Sequence, residues 1–155
     1  TLALLLTILA LPAQAANLCG NMVMPAGALG SISRGFTSYH AGIDLAAPLG
    51  STIRAAAGGT VTYAGWYKGY GNMVDIRHDD GLITRYAHLS AYVPELGFGT
   101  PVKAGQVIGF VGHTGDTNTP HLHFEVHPQG GDAVNPYLMV KSIDACNVKE
   151  PRPAA

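Results

Sequence analysis

The stretch 119–128, TPHLHFEVHP, carries His121, His123 and His127 at alternate positions, with Glu125 between them. Leu122, Phe124 and Val126 take the other parity. Successive side chains of a strand point to opposite faces, so this pattern predicts a strand with one apolar and one titratable face. Positions i and i+2 stand about 6.6 Å apart along a strand, so two imidazoles can look into one small site. Such a pair suits either a metal ion or proton transfer near neutral pH. The plain alternative is a solvated face that happens to be rich in histidine.

Two other stretches offer matching groups. In YHAGIDLAAPLG (39–50), His40 and Asp44 are four residues apart. Gly42 and Pro48 argue against a helix there. On a strand the two share a face but stand about 13 Å apart, so a bend is needed, and Gly42 allows one. In RYAHLS (85–90), strand alternation puts Tyr86 and His88 on one face and Arg85, Ala87 and Leu89 on the other. Each piece alone is weak, since a single strand histidine is commonly structural. Together they fit a catalytic zinc site, which takes about three protein ligands and leaves one position for water. There the metal acidifies water, a base takes the proton and a donor stabilises the oxyanion. His40, Asp44 and one of His121 and His123 would complete the ligands and leave two histidines over; spacing does not say which of that pair binds.

The elements that must carry these groups read as strands. STIRAA (51–56), GTVTYAGW (59–66), NMVDIRH (72–78), LITRYAHL (82–89), PVKAGQVIGFVG (101–112) and HLHFEVH (121–127) are β-branched or alternating, and Gly, Pro, Asn and Asp bound them. Asp80-Gly81 predicts a hairpin turn. No long 3.6-residue apolar period occurs, and AYVPELG holds one helical turn at most. The expected architecture is all-β: a single domain of mostly antiparallel strands forming a groove with a zinc site. No internal repeat is present.

The chain has 155 residues, a formal charge of −1, 20 glycines and 10 prolines. This suits one domain with one core, and the absence of a basic run argues against nucleic-acid binding. Residues 1–16 read as a signal peptide trimmed at its start: Leu2 to Leu11 is apolar but too short to span a bilayer, and Ala13-Gln14-Ala15 is a small-x-small cleavage pattern. Leu18 makes Cys19 a poor lipidation site. Residues 17–38 read as an entry segment, 39–140 as the domain, and 141–155 as a C-terminal tail whose polar, Pro-rich end KEPRPAA is expected to be disordered. In an exported protein Cys19 and Cys146 are expected to pair, closing a loop worth about 4–5 kcal/mol by chain entropy. No Cys-x-x-Cys is present to build a thiolate metal site.

HxxxD, then YAHL, then HLHFEV, in this order and spacing, resemble the lysostaphin-like zinc endopeptidases of bacterial cell walls. HAGIDLAAPLGSTIRAAAGGTVTYAG, YGNMVDIRHDDGLITRYAHLS and GTPVKAGQVIGFVGHTG extend the resemblance over about residues 33–138. The joint motif is specific where its pieces are not. The resemblance implies that His40, Asp44 and His123 bind one Zn2+ and that His88 and His121 are the catalytic pair. It places Tyr86 near the site and gives Glu125 no assigned catalytic role, a general base being its minority reading. His78 is expected to be structural, and His113 and His127 solvated. The implied function is that of a secreted zinc metalloendopeptidase hydrolysing peptide crosslinks of bacterial peptidoglycan by metal-activated water. Its expected substrates are peptidoglycan peptides. It would be a monomer, periplasmic or extracellular, with no nucleic-acid partner and no membrane partner after signal cleavage. Thr119 stands where the family commonly has Gly, and the loop before His40 is short; both departures touch the groove rim. The alternative is a non-catalytic wall-binding or hydrolase-activating protein of the same fold, although all five site positions are filled. A biotinyl-type carrier is suggested by GTPVKAGQVIGFVG but lacks a lysine in the turn that follows.

Overall fold

β9 (His121–His127) is the strand on which the site is built. Its apolar parity, Leu122, Phe124 and Val126, is fully buried, as expected of a strand with one face on a core. In the computed structural model, which describes residues 22–27 and 31–140, β9 runs between β2 (Ile43–Ala46) and β6 (Ile83–Tyr92). Beyond β6 come β5 (Asn72–Arg77), β4 (Gly59–Trp66) and β7 (Pro101–Val102); beyond β2 comes β1 (Ile32–Arg34). β8 (Val107–Val111) pairs with the far half of β6 and with β3 (Thr52–Arg54). All these strand pairs are antiparallel. The predicted leader, both cysteines and the tail lie outside the described residues.

Most of the expected strands form, with two differences. The run 101–112 is two strands rather than one. Gly105 takes φ 77°, and Gln106 closes the intervening turn, its side-chain oxygen accepting from Lys103 N–H at 2.9 Å. Residues 32–34 of the predicted entry segment are β1, held to β2 with Ile32 opposite Leu45, while Met22 and Ala26 reach the core. The HxxxD stretch bends as its spacing required, residues 41–42 turning into β2. Gly42 sits where it does because of space, not a left-handed backbone: a Cβ there would run into the carbonyl of Phe124.

Tyr86 does not share a face with His88. It is fully buried against Phe124, with ring centroids 5.3 Å apart. Its hydroxyl anchors a directed chain of hydrogen bonds. Ala56 N–H donates to the Tyr86 oxygen (2.8 Å), Tyr86 to Thr84 Oγ1 (2.9 Å), Thr84 to His78 Nε2 (2.8 Å), and His78 Nδ1–H to Gly58 O (2.8 Å). Burial pushes the Tyr86 phenol up to about 12. His78 is the structural residue expected of it.

The face switch has a local cause. Val74 pairs with Tyr86 but Asn72 pairs with Leu89, so β6 carries one more residue than β5 across this interval. The extra residue makes a bulge, and His88 takes φ 63° within it. Tyr86 and Leu89 both point into the core, leaving Ala87 and His88 between them on the groove side. The bulge lies where β6 exchanges β9 for β8 as its neighbour.

Candidate active site

Register across β2 and β9 sets the first contact of the site. Asp44 is directly opposite His123, and Ala46 opposite His121. The turn before β2 brings His40 back over the same place. His123 Nδ1 lies 2.8 Å from Asp44 Oδ1, His40 Nε2 3.1 Å from Asp44 Oδ1, and the two ring nitrogens 3.1 Å from each other. All three residues are buried. Among the described residues this is the His/Asp cluster able to hold a metal ion. Two imidazole nitrogens and one carboxylate oxygen are donors that zinc accepts. Tetrahedral bonds of about 2.0–2.2 Å put ligand atoms about 3.3–3.6 Å apart, so the edges of this triangle need to open by less than about 1 Å. The donor set therefore fits the ion.

Each ring is held from behind. His40 Nδ1–H donates to Gly35 O at 2.8 Å, and His123 Nε2–H to Glu125 Oε1 at 2.9 Å. These bonds hold a proton on the far nitrogen of each ring, so His40 Nε2 and His123 Nδ1 are the nitrogens that would meet a metal as lone-pair donors. His88 and His121 repeat the device. His88 Nδ1–H donates to Thr114 O at 2.7 Å and His121 Nδ1–H to Thr119 O at 2.8 Å. Their rings stand 4.8 Å apart, centroid to centroid, with Nε2 of each available to the groove. The groove holds about 600 Å³ and is lined by these five residues together with Tyr39, Tyr67 and Tyr70.

Electrostatics separate the groups. Burial disfavours the Asp44 carboxylate, but its hydrogen bond with His123 and the charges of His123, His40 and His121 outweigh that and lower its pKa. Burial lowers the pKa of His88, and the neighbouring His121 and His123 add to the effect. Burial acts the same way on His123, yet hydrogen bonds to Asp44 and Glu125 carry it above the ordinary histidine value. Burial thus favours the neutral form of His88, which leaves its Nε2 lone pair free to accept a proton.

The sequence placed His40, Asp44, His88, His121 and His123 together, and the structure gathers all five around one groove. His113 is exposed, as expected. His127 is not solvated: it is half-buried, with Nε2 2.6 Å from Glu125 Oε2. Arg85, Asp75, Tyr70 and Thr114 were not singled out as supports of the site. Arg85 meets Glu125 only through the β6–β9 register, which no local pattern reveals; Thr114 acts through its carbonyl, which no side-chain pattern reveals either.

The left-handed backbone of His88 costs a β-carbon-bearing residue about 1–2 kcal/mol. His88→Gly is therefore expected to melt higher than His88→Ala, although both lose the bond to Thr114 O. Equal melting temperatures would show that the bulge carries no strain.

A groove with a donor set for one ion beside two further imidazoles defines a candidate metallohydrolase centre. Residues 38–136 match the description "Peptidase family M23", and the chain belongs to that family. Over 97 residues it is 52% identical to the DD-carboxypeptidase/endopeptidase Mpg of Neisseria meningitidis serogroup B, a match covering 63% of this chain and 22% of that protein. Less than a quarter of that relative's length is therefore represented. Helicobacter pylori Csd3 superposes with a TM-score of 0.69 at 36% identity, over 78% of this chain and 33% of that one. The catalytic domain of lysostaphin from Staphylococcus simulans gives 0.67 at 32% identity, over 74% of this chain and 96% of that domain.

Proposed function

We propose that the chain is an exported zinc metalloendopeptidase that hydrolyses peptide crosslinks of bacterial peptidoglycan. One observation carries the reading: His40, Asp44 and His123 converge on one point while His88 and His121 face the same groove with their Nε2 atoms available. Family membership supports a peptidase, and the name of a relative 43% identical over 86 residues, the peptidoglycan DD-endopeptidase ShyC of Vibrio cholerae, points to the substrate class. The leader-like residues 1–16 support export.

In this reading His40 Nε2, Asp44 Oδ1 and His123 Nδ1 would hold the ion. When bound, zinc supplies Lewis-acid polarisation and makes water a nucleophile near neutral pH. The peptide lies along the groove, whose lining includes the exposed rings of Tyr39 and Tyr67. His88 Nε2 accepts the proton of the attacking water; its carbonyl tether to Thr114 keeps that nitrogen aimed at the groove. His121 Nε2–H, once protonated, donates to the developing oxyanion. Neither histidine forms a covalent bond to substrate, so each turnover ends with the proton passed to the departing amine.

The test is release of new amino groups from purified peptidoglycan by the purified protein, with and without a zinc chelator. Release is expected, lost with chelator and restored by zinc. Failure of the zinc-loaded protein to cut several wall types would instead favour a wall-binding or hydrolase-activating role.

A further inference from the structure

Glu125 is the most enclosed charged side chain of the described residues, with no exposed surface. It lies on the groove parity of β9, yet it does not line the groove. Four side chains converge on its two oxygens. Oε1 accepts from His123 Nε2–H at 2.9 Å and from the Tyr70 hydroxyl at 2.8 Å. Oε2 accepts from His127 Nε2–H at 2.6 Å and from Arg85 Nη1 at 3.3 Å. Arg85 is fixed in turn by a two-pronged pair with Asp75, both contacts 2.9 Å. A carboxylate so occupied has no lone pair left for water, which argues against the general-base role available to a Glu near zinc.

We propose that Glu125 is a positioning residue for the metal centre: it locks the His123 ring with the proton on Nε2, so that Nδ1 meets His40 Nε2 and Asp44 Oδ1 as a lone-pair donor. The inference rests on the metal-centre reading above and deepens it. The geometry is asymmetric in a telling way. The ligand candidate His40 and the groove histidines His88 and His121 are each oriented by a neutral backbone carbonyl. His123 alone among the four is oriented by a carboxylate, itself tied to the scaffold by Arg85, Tyr70 and His127. An anionic acceptor makes the imidazole a stronger donor to a metal and holds it more stiffly than a carbonyl does. Loss of such a support typically weakens metal binding about 10–100-fold.

The test is zinc affinity of the full chain, read by competition with a chromogenic chelator, beside the melting temperature of the metal-free protein. Glu125→Leu is expected to weaken zinc binding about 10–100-fold. Glu125→Gln keeps an acceptor oxygen for His123 and is expected to fall between Glu125→Leu and wild type. His127→Ala disturbs only the other oxygen and is expected to bind zinc within about threefold of wild type. If Glu125→Leu fails to fold, the ordering of the other two still decides the matter. A Glu125→Gln protein that melts lower but binds zinc as wild type does would overturn the proposal and leave Glu125 a packing residue. Wild-type protein that binds no zinc would instead overturn the metal-centre reading beneath it.

Discussion

His123→Ala is expected to lose both zinc and activity, whereas His121→Ala keeps zinc and loses activity. The two residues are neighbours on one strand face and differ in chemistry only by where their nitrogens lie. His123 Nδ1 is 2.8 Å from Asp44 Oδ1 and 3.1 Å from His40 Nε2, inside the donor triangle. His121 Nε2 is 3.6 Å from Asp44 Oδ1, outside that triangle, and its ring packs on His88 instead. Removing a ligand costs more than removing a support, so zinc affinity in His123→Ala should drop by more than about 100-fold. Removing one donor to the oxyanion lowers turnover by about 10²–10³-fold, and His121→Ala should fall in that range with zinc within a few-fold of wild type. Zinc titration and peptidoglycan cleavage measured on both proteins settle it. Equal zinc loss in the two would mean that the roles of His121 and His123 are assigned wrongly.

Arg85→Leu is expected to produce the largest loss of stability among side chains beside the site. Arg85 sits between Asp75 and Glu125, two carboxylates on the groove side of neighbouring strands. Hydrogen bonding with Asp75, and the charges of Asp75 and Glu125, raise its own pKa against the opposing effect of burial. Stripping one partner from a buried ion pair costs about 3–5 kcal/mol. Arg85 is about one-fifth exposed (21%), and Glu125 keeps His123, His127 and Tyr70, so the low end, about 3 kcal/mol, is expected. For a domain of this size that lowers Tm by about 10 °C.

The pH dependence has a definite sign. Burial works against the Glu125 carboxylate, but hydrogen bonds from His123 and His127 and the charge of His123 hold it well below its ordinary value of 4.5. A depressed folded-state carboxylate stabilises above the unfolded pKa and ceases to do so as pH falls. Arg85 and Glu125 attract each other, so the variant is expected to depress Glu125 less, and its stability gap from wild type should narrow only as pH falls through the depressed folded-state range, well below 4.5. Denaturant unfolding of both proteins from pH 7 downward measures the gap; a gap that widens on acidification would overturn this sign.

The sequence by itself determined the all-β class, the strand β9 with its two faces, and the five groups that meet in the groove. Period-two alternation and turn residues are local signals, and four of the strands, β4, β5, β6 and β9, fall close to where that alternation puts them. What pairing decided lay beyond any local signal. Alternation put Tyr86 beside His88, but one extra residue on β6 sends Tyr86 into the core and turns His88 to the groove. A bulge is set by how two strands fit, not by the residues of one. Composition likewise left His127 and Glu125 as groups on a polar face. Only register against β6 brings Arg85 opposite Glu125 and makes that face an enclosed charge network. The choice of His123 over His121 as the ring at the donor triangle has the same origin. β2 meets β9 with Asp44 opposite His123 and Ala46 opposite His121, so the carboxylate is delivered to one ring and a methyl group to the other.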